Sequence, residues 1–161
     1  MTEHPMNRED LQFLPISINV TNKKILLIGG GKVASHKAAI LHHFTDKATI
    51  IALDIHPDIE KLPFIIIRKA YEKSDLTKFN LIYVCTDNHE LNKQIKRDAE
   101  ELGILTSVCD NPALCDFVSP SVFKSGNITI SIGSDAKDVK RSIAIRNRIR
   151  KLIEDGILQI D

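Results

Sequence analysis

The 161-residue sequence contains no tryptophan, and aromatic residues make up only 5% of it. A protein that stacks the bases of single-stranded nucleic acid needs aromatic platforms, so that class is poorly supplied. Neither charge sign is in excess. Lys and Arg number 22 against 21 Asp and Glu, a net charge of +1, which argues against a globally basic nucleic-acid binder. The three cysteines are an odd number without paired spacing. That excludes a disulfide scaffold and reads as free thiols in a reducing cytosol. No run approaches the roughly 18 consecutive apolar residues of a membrane span. The opening MTEHPMNREDLQF is polar and charged, without the apolar stretch or cleavage site of a secretory leader. The expected location is cytoplasmic, with neither a membrane nor nucleic acid as partner. No repeat with a period of roughly 20–50 residues is present.

What is there is a chain with 43% hydrophobic and 27% charged residues, enough apolar material for one cored domain with a small appendage. Apolar runs alternate with helical patterns. Strands are expected at 24–28, 48–53, 64–68, 81–85 and 105–108. Helices are expected at 31–44, 57–62 and 90–102, the first with Val33, Ala34, Ala38, Leu41 and Phe44 on one face. Such alternation predicts an α/β fold, a Rossmann-type parallel sheet with right-handed crossovers. After about residue 113 the pattern changes to two short strands, 116–123 and 127–132, and one amphipathic helix over 138–155. The expected division is a nucleotide-binding domain at 1–113, a β-strand segment at 114–136 and a short C-terminal helical tail at 137–161. Two strands and a helix are marginal alone and need another surface to pack on.

Gly29, Gly30, Gly31, Lys32, Val33 and Ala34 fit the pattern G-x-G-x-x-A between a strand and a helix. In a dinucleotide site the first glycine makes the tight turn and Gly31 lets the backbone approach a pyrophosphate. Ala34 permits close helix–strand packing. The helix N-terminus offers free N–H groups and a positive dipole end. A glycine-rich turn without a ligand is the bland alternative, and the flanking strand and helix favour the cofactor. Asp54 stands about 20 residues on, where an acid either bonds a ribose 2′-hydroxyl, favouring NAD over NADP, or merely ends a strand. Thr86 and Asp87 follow the fourth strand and face the same edge, with Asp87 or Asn88 also suited to cap the next helix. Cys109 and Cys115 bracket Asp110, but no C-x-x-C or histidine cluster completes a ligand set, so no metal site is expected.

Four stretches carry a family resemblance: Leu14-Pro15-Ile16, ILLIGGGKVASHKA (Ile25–Ala38), CTDN with Leu91-Asn92, and VCDNPALCDFVSPS (Val108–Ser121). Together they resemble the precorrin-2 dehydrogenases of sirohaem synthesis over roughly residues 14–150. The resemblance implies NAD-dependent dehydrogenation of precorrin-2, a tetrapyrrole, to sirohydrochlorin. Some members also insert ferrous iron. It implies a homodimer formed through the middle segment, and it makes Asp110 the catalytic carboxylate. From the residues alone Asp110 reads first as a turn former before Asn111-Pro112. A carboxylate beside a nicotinamide suits acceptance of the substrate proton. The family's substrate-binding stretch after the second middle strand keeps Ser131 and Gly133 here but has lost its Ser-Pro step. That change keeps two alternatives open: a non-catalytic NAD(H)-binding sensor or regulatory protein, and a chelatase without dehydrogenase activity. The last helix is rich in Lys and Arg, either a solvated face or one that meets substrate carboxylates.

Overall fold

The computed structural model describes residues 7–160. Its contacts divide the chain into two compact units, one of residues 16–117 and one of residues 7–15 with 118–160. The cut falls after Phe117 rather than near 113, because Leu114, Cys115 and Phe117 pack on the core of the first unit.

The 16–117 unit is a wholly parallel five-stranded sheet. Its strands are β1 (Ile25–Ile28), β2 (Ala48–Ala52), β3 (Ile65–Arg68), β4 (Leu81–Val84) and β5 (Leu105–Val108), in the spatial order β3-β2-β1-β4-β5. The helices are α1 (Lys32–His42), the single turn α2 (Pro57–Glu60) and α3 (His89–Glu101). The central strand β1 is buried on both faces, which is why its sequence is an unbroken apolar run. Ile25 and Leu27 point to one face and pack with Ala34, Ala38 and Leu41 of α1. Leu26 and Ile28 point to the other and pack with Ile95 and Ala99 of α3.

The α1 face is narrower than the periodicity predicts. Val33 is 53% and Phe44 37% exposed, since Val33 lies in the first turn and the helix ends before Phe44. Strand β3 is an edge strand that leaves Ile65 and Ile67 in solvent. Beside the other edge strand, Asp116 folds back along β5. Its N–H donates to the Thr106 carbonyl at 2.9 Å, and its carboxylate accepts the Thr106 N–H at 2.9 Å. The buried Lys96 of α3 donates to the same carboxylate at 2.6 Å. This folding back also explains why the strand expected at 116–123 starts only at Ser121.

The second unit holds an antiparallel hairpin, β6 (Ser121–Ser125) and β7 (Ile128–Ile132), and the helix α4 (Val139–Glu154). Asp138 caps α4 by accepting the Arg141 N–H at 2.9 Å. Arg146 reaches from α4 to the Val122 carbonyl of β6 at 3.4 Å. The stretch that leads into the sheet unit, residues 7–15 (the leader), belongs to this unit. Arg8 donates through Nε to the Ala136 carbonyl at 3.2 Å, and the Phe13 N–H donates to Asp135 at 2.9 Å.

Candidate cofactor cleft and active site

The strands of the parallel sheet end level. Ile28 is in register with Ile51 and Val84, and Val84 with Val108. The chain leaves β1 toward β2 on one side, while β4 lies on the other, so the strand order reverses between β1 and β4. Open α/β sheets bind ligands at such a switch point, outside the carboxyl ends of the strands. A cleft of about 910 Å³ lies there, bordered by Gly29–Val33, Asp54, Thr86, Asp87 and Asp110. It is large enough for a dinucleotide-sized ligand.

The three glycines have three different reasons. Gly29 has φ +118°, and a Cβ on it would stand 2.4 Å from the Cys85 carbonyl oxygen. A Cβ on Gly30 would stand 2.0 Å from the Asp54 carbonyl oxygen, and the His56 N–H bonds the Gly30 carbonyl at 2.7 Å. The loop after β2 therefore presses onto Gly30, a position the motif leaves free. Gly31 is different: its φ of −81° suits any residue, and a Cβ there would meet nothing within 4 Å. Nothing in the fold requires a glycine at Gly31; a ligand backed against the loop would. Gly31 is also the N-cap of α1, without a side-chain cap and with no acid in the first turn. The α1 N–H groups and dipole are thus available to an anion. Lys32 and Val33 border the cleft, whereas Ala34 is fully buried beneath it and serves the helix–sheet packing.

Asp54 is exposed at the far rim. Across the cleft, Asn88 rather than Asp87 caps α3, accepting the Leu91 N–H at 3.0 Å. Thr86 accepts the Asn88 N–H at 3.2 Å and hydrogen-bonds Asn92. Asn92 is 1% exposed and is the hub of the site. Its amide donates to the Thr86 carbonyl at 3.0 Å and to the Asp110 carboxylate at 3.5 Å. The other Asp110 oxygen lies 2.9 Å from Nδ1 of His89. Asp110 also sits in a turn, with the Asn111 N–H closing onto the Val108 carbonyl. The sequence does not mark His89, and it carries Asn92 only within a family-like stretch, not as a site residue. Their spacing of three on one helix was the available signal, but it needs the β5 terminus beside it to mean anything.

Two thiols line the floor of the same cleft. Cys85 and Cys109 are neighbours, each one step past the registered pair Val84 and Val108. The adjacent Cys85 thiol and the Lys37 ammonium lower the Cys109 thiol below its ordinary range, while the adjacent Cys109 and burial push Cys85 up. Ser131 and Gly133 lie in the other unit, on β7 and just past it, both exposed. A smaller hollow of about 320 Å³ at the opposite sheet edge, near Phe79 and Leu102, has no ionisable lining. Among the described residues no group of His, Cys, Asp and Glu is disposed to hold a metal ion, and no helix is long and apolar enough to cross a membrane.

Residues 16–121 match a family of proteins described as "Putative NAD(P)-binding". The chain belongs to this family. The matched span contains the glycine loop, Asp54, Thr86, Asp87 and Asp110, and excludes Ser131 and Gly133. Among curated relatives, a siroheme synthase of Psychrobacter arcticus is 34% identical over 146 residues, covering 88% of this chain and 27% of that protein. One from Ruthia magnifica is 32% identical, covering 89% of this chain and 31% of that protein. The chain thus spans about three-tenths of the length of these relatives. Among solved structures, one titled "SirC, precorrin-2 dehydrogenase" superposes with a TM-score of 0.74 at 19% identity, covering 89% of this chain and 70% of that one. That likeness is one of fold. It matches the parallel sheet with flanking helices and a C-terminal helix.

Proposed function

We propose that this chain is an NAD-dependent precorrin-2 dehydrogenase that forms sirohydrochlorin in sirohaem synthesis. The observation that carries the proposal is the placement of the Asp110 carboxylate, oriented by Asn92 and His89, in the same cleft as the ligand-accommodating glycine loop. The siroheme synthase relatives and the fold likeness to a precorrin-2 dehydrogenase support the substrate class.

NAD, when bound, accepts the hydride. The chain's residues do the rest. Gly31 gives the pyrophosphate room, and the uncapped start of α1 meets its charge. Asp54 bonds the adenosine ribose, and its own negative charge disfavours a 2′-phosphate, which selects NAD over NADP. Thr86 and Asp87 border the ribose nearer the reacting ring. As the substrate carbon loses its hydride, the Asp110 carboxylate accepts the accompanying proton. Asn92 holds that carboxylate in place by donating to one oxygen, and the His89 ring stands against the other. In a chelatase step, the same carboxylate suits removal of the pyrrole N–H protons.

Ser131 and Gly133 are proposed as substrate contacts, and the arginines of α4 as partners for substrate carboxylates. A homodimer is proposed on a separate support. Among the described residues of the second unit only Leu11 and Ser142 are buried, while Ile128, Val139, Ile143 and Ile145 are exposed. A hairpin and one helix with so little interior gain stability from a second copy.

The deciding experiment is anaerobic. Precorrin-2 and NAD are mixed with purified protein while NADH and sirohydrochlorin absorbance are followed together. Both signals are expected to rise, and to fall by about 10²–10⁴ in Asp110→Ala, the usual range for a lost acid–base group. Gly31→Asp is expected to abolish NADH binding. Intact NAD(H) binding without turnover by the wild type would replace the dehydrogenase with a sensor. Cobalt or iron insertion without dehydrogenation would leave a chelatase.

A further inference from the structure

The two cysteines of the cleft are not used by the proposed dehydrogenation, and their arrangement is specific. Cys85 follows β4 and Cys109 follows β5, one step past the registered pair Val84 and Val108. The Cys109 N–H bonds the Val84 carbonyl at 2.9 Å, so the two chains are still paired as neighbouring strands at this level. Such neighbours lie about 4.8 Å apart, inside the roughly 4.4–6.8 Å window in which two cysteines can be bridged. Both side chains pack on the α1 face of the sheet. The positive charge of Lys37 on α1 favours the thiolate form of both. Both residues border the open cleft, which gives a small solute access.

Cys115 provides the contrast within the same chain. It packs on the opposite face, with the α3 core. Its sulfur is occupied by the Val108 N–H at 3.1 Å and the Val108 carbonyl at 3.2 Å, and burial pushes its thiol up.

We infer that Cys85 and Cys109 form a reversible dithiol–disulfide site on the floor of the cleft, oxidised by hydroperoxides. The chemistry closes in two steps. The Cys109 sulfur displaces one oxygen of hydrogen peroxide to give a sulfenic acid, and the other oxygen leaves as water. The Cys85 thiol then attacks that sulfur, forming the disulfide and releasing a second water. Two thiol hydrogens and two electrons pass to the peroxide. This chemistry is independent of the dehydrogenation proposed above.

The test uses the intact chain, reduced and freed of reductant, then exposed to hydrogen peroxide. Thiols are counted in denaturant, and peptides are mapped by mass spectrometry after alkylation. Wild type is expected to lose two of its three thiols together with two hydrogen atoms of mass. The Cys85 and Cys109 peptides should be cross-linked, and dithiothreitol should restore all three thiols. Cys115→Ser is expected to form the same link, and Cys109→Ser none. Survival of all three thiols under peroxide that oxidises glutathione in parallel would overturn the inference, as would a link that includes Cys115. Because wild type and Cys115→Ser carry the result between them, a folding defect in Cys109→Ser leaves the inference open to refutation.

Discussion

Gly30 and Gly31 are adjacent and chemically identical, yet alanine at the two positions is expected to do opposite things. At Gly30 the new methyl group would collide with the Ala52 side chain of β2 and with the Asp54 carbonyl of the loop that follows it. The cost is about 1–3 kcal/mol of overpacking, read as a lowered melting temperature. At Gly31 the methyl group meets only open space. Stability should stay within about 0.5 kcal/mol, while NADH affinity, followed by fluorescence titration, should fall by about tenfold or more, equivalent to at least about 1.4 kcal/mol. An unchanged affinity in Gly31→Ala would remove the ligand-based reason for that glycine. A similar separation applies around Asp110. His89 is 76% exposed at its side chain and packs on little, so His89→Ala should leave the melting temperature alone. It should lower kcat by about tenfold or less, far below the loss in Asp110→Ala. Equal losses in the two variants would make His89 more than a positioning residue.

At the scale of elements, α3 does two jobs. Its first turn orients Asp110, and its later turns anchor the segment that closes the β5 edge through Lys96 and Asp116. Lys96 is buried and Asp116 is only a third exposed at its side chain, so this ion pair is worth more than a surface one. Lys96→Ala is expected to cost about 2 kcal/mol, discounted from the fully buried case because Asp116 keeps some water. Lys96→Met, which keeps the volume, should cost less. Thermal or urea unfolding of the two variants side by side measures the difference. The elements themselves were largely legible in the sequence, for a local reason. β1 and β4 are unbroken apolar runs because they are buried on both faces, β2 is interrupted only by Thr49, and the glycine loop sits where β1 stops. The illegible parts depend on distant neighbours. Gly30 is obligatory only because the Asp54 carbonyl lies against it. Asn92 and His89 became site residues only because β5 ends beside α3. Val33 fits a helical apolar stripe by spacing, yet it stands at the cleft mouth where the stripe has nothing to pack on. Edge position is equally hidden: Ile65 and Ile67 of β3 look like core residues and are exposed, while Ile66 alone packs on the core.

At the scale of the molecule, the two units are built on different principles. The 16–117 unit has buried side chains on both faces of its sheet. The unit of 7–15 and 118–160 has only two buried residues among those described and relies on backbone pairing, a helix cap and hydrogen bonds from the leader. If a second copy supplies the missing interior, the purified chain should sediment as a dimer. Ile143→Arg, which places a charge on the exposed apolar side of α4, should shift it toward the monomer without unfolding the sheet unit. Sedimentation velocity and circular dichroism together make that distinction. A monomeric wild type at micromolar concentration would remove the dimer proposal.

The leader's bonds to Asp135 and Ala136 span more than 120 positions of chain. Their consequence lies in the order of synthesis. While the polypeptide emerges from a ribosome, residues 7–15 are made before the sheet unit and their partners only after it. The early segment therefore waits, unpaired, through translation of everything it brackets. Closing so long a loop costs only about 0.6 kcal/mol more for each doubling of its length, so the delay is set by when the partner appears, not by entropy. All the residues of the cofactor cleft are accordingly synthesised before the hairpin and α4 exist.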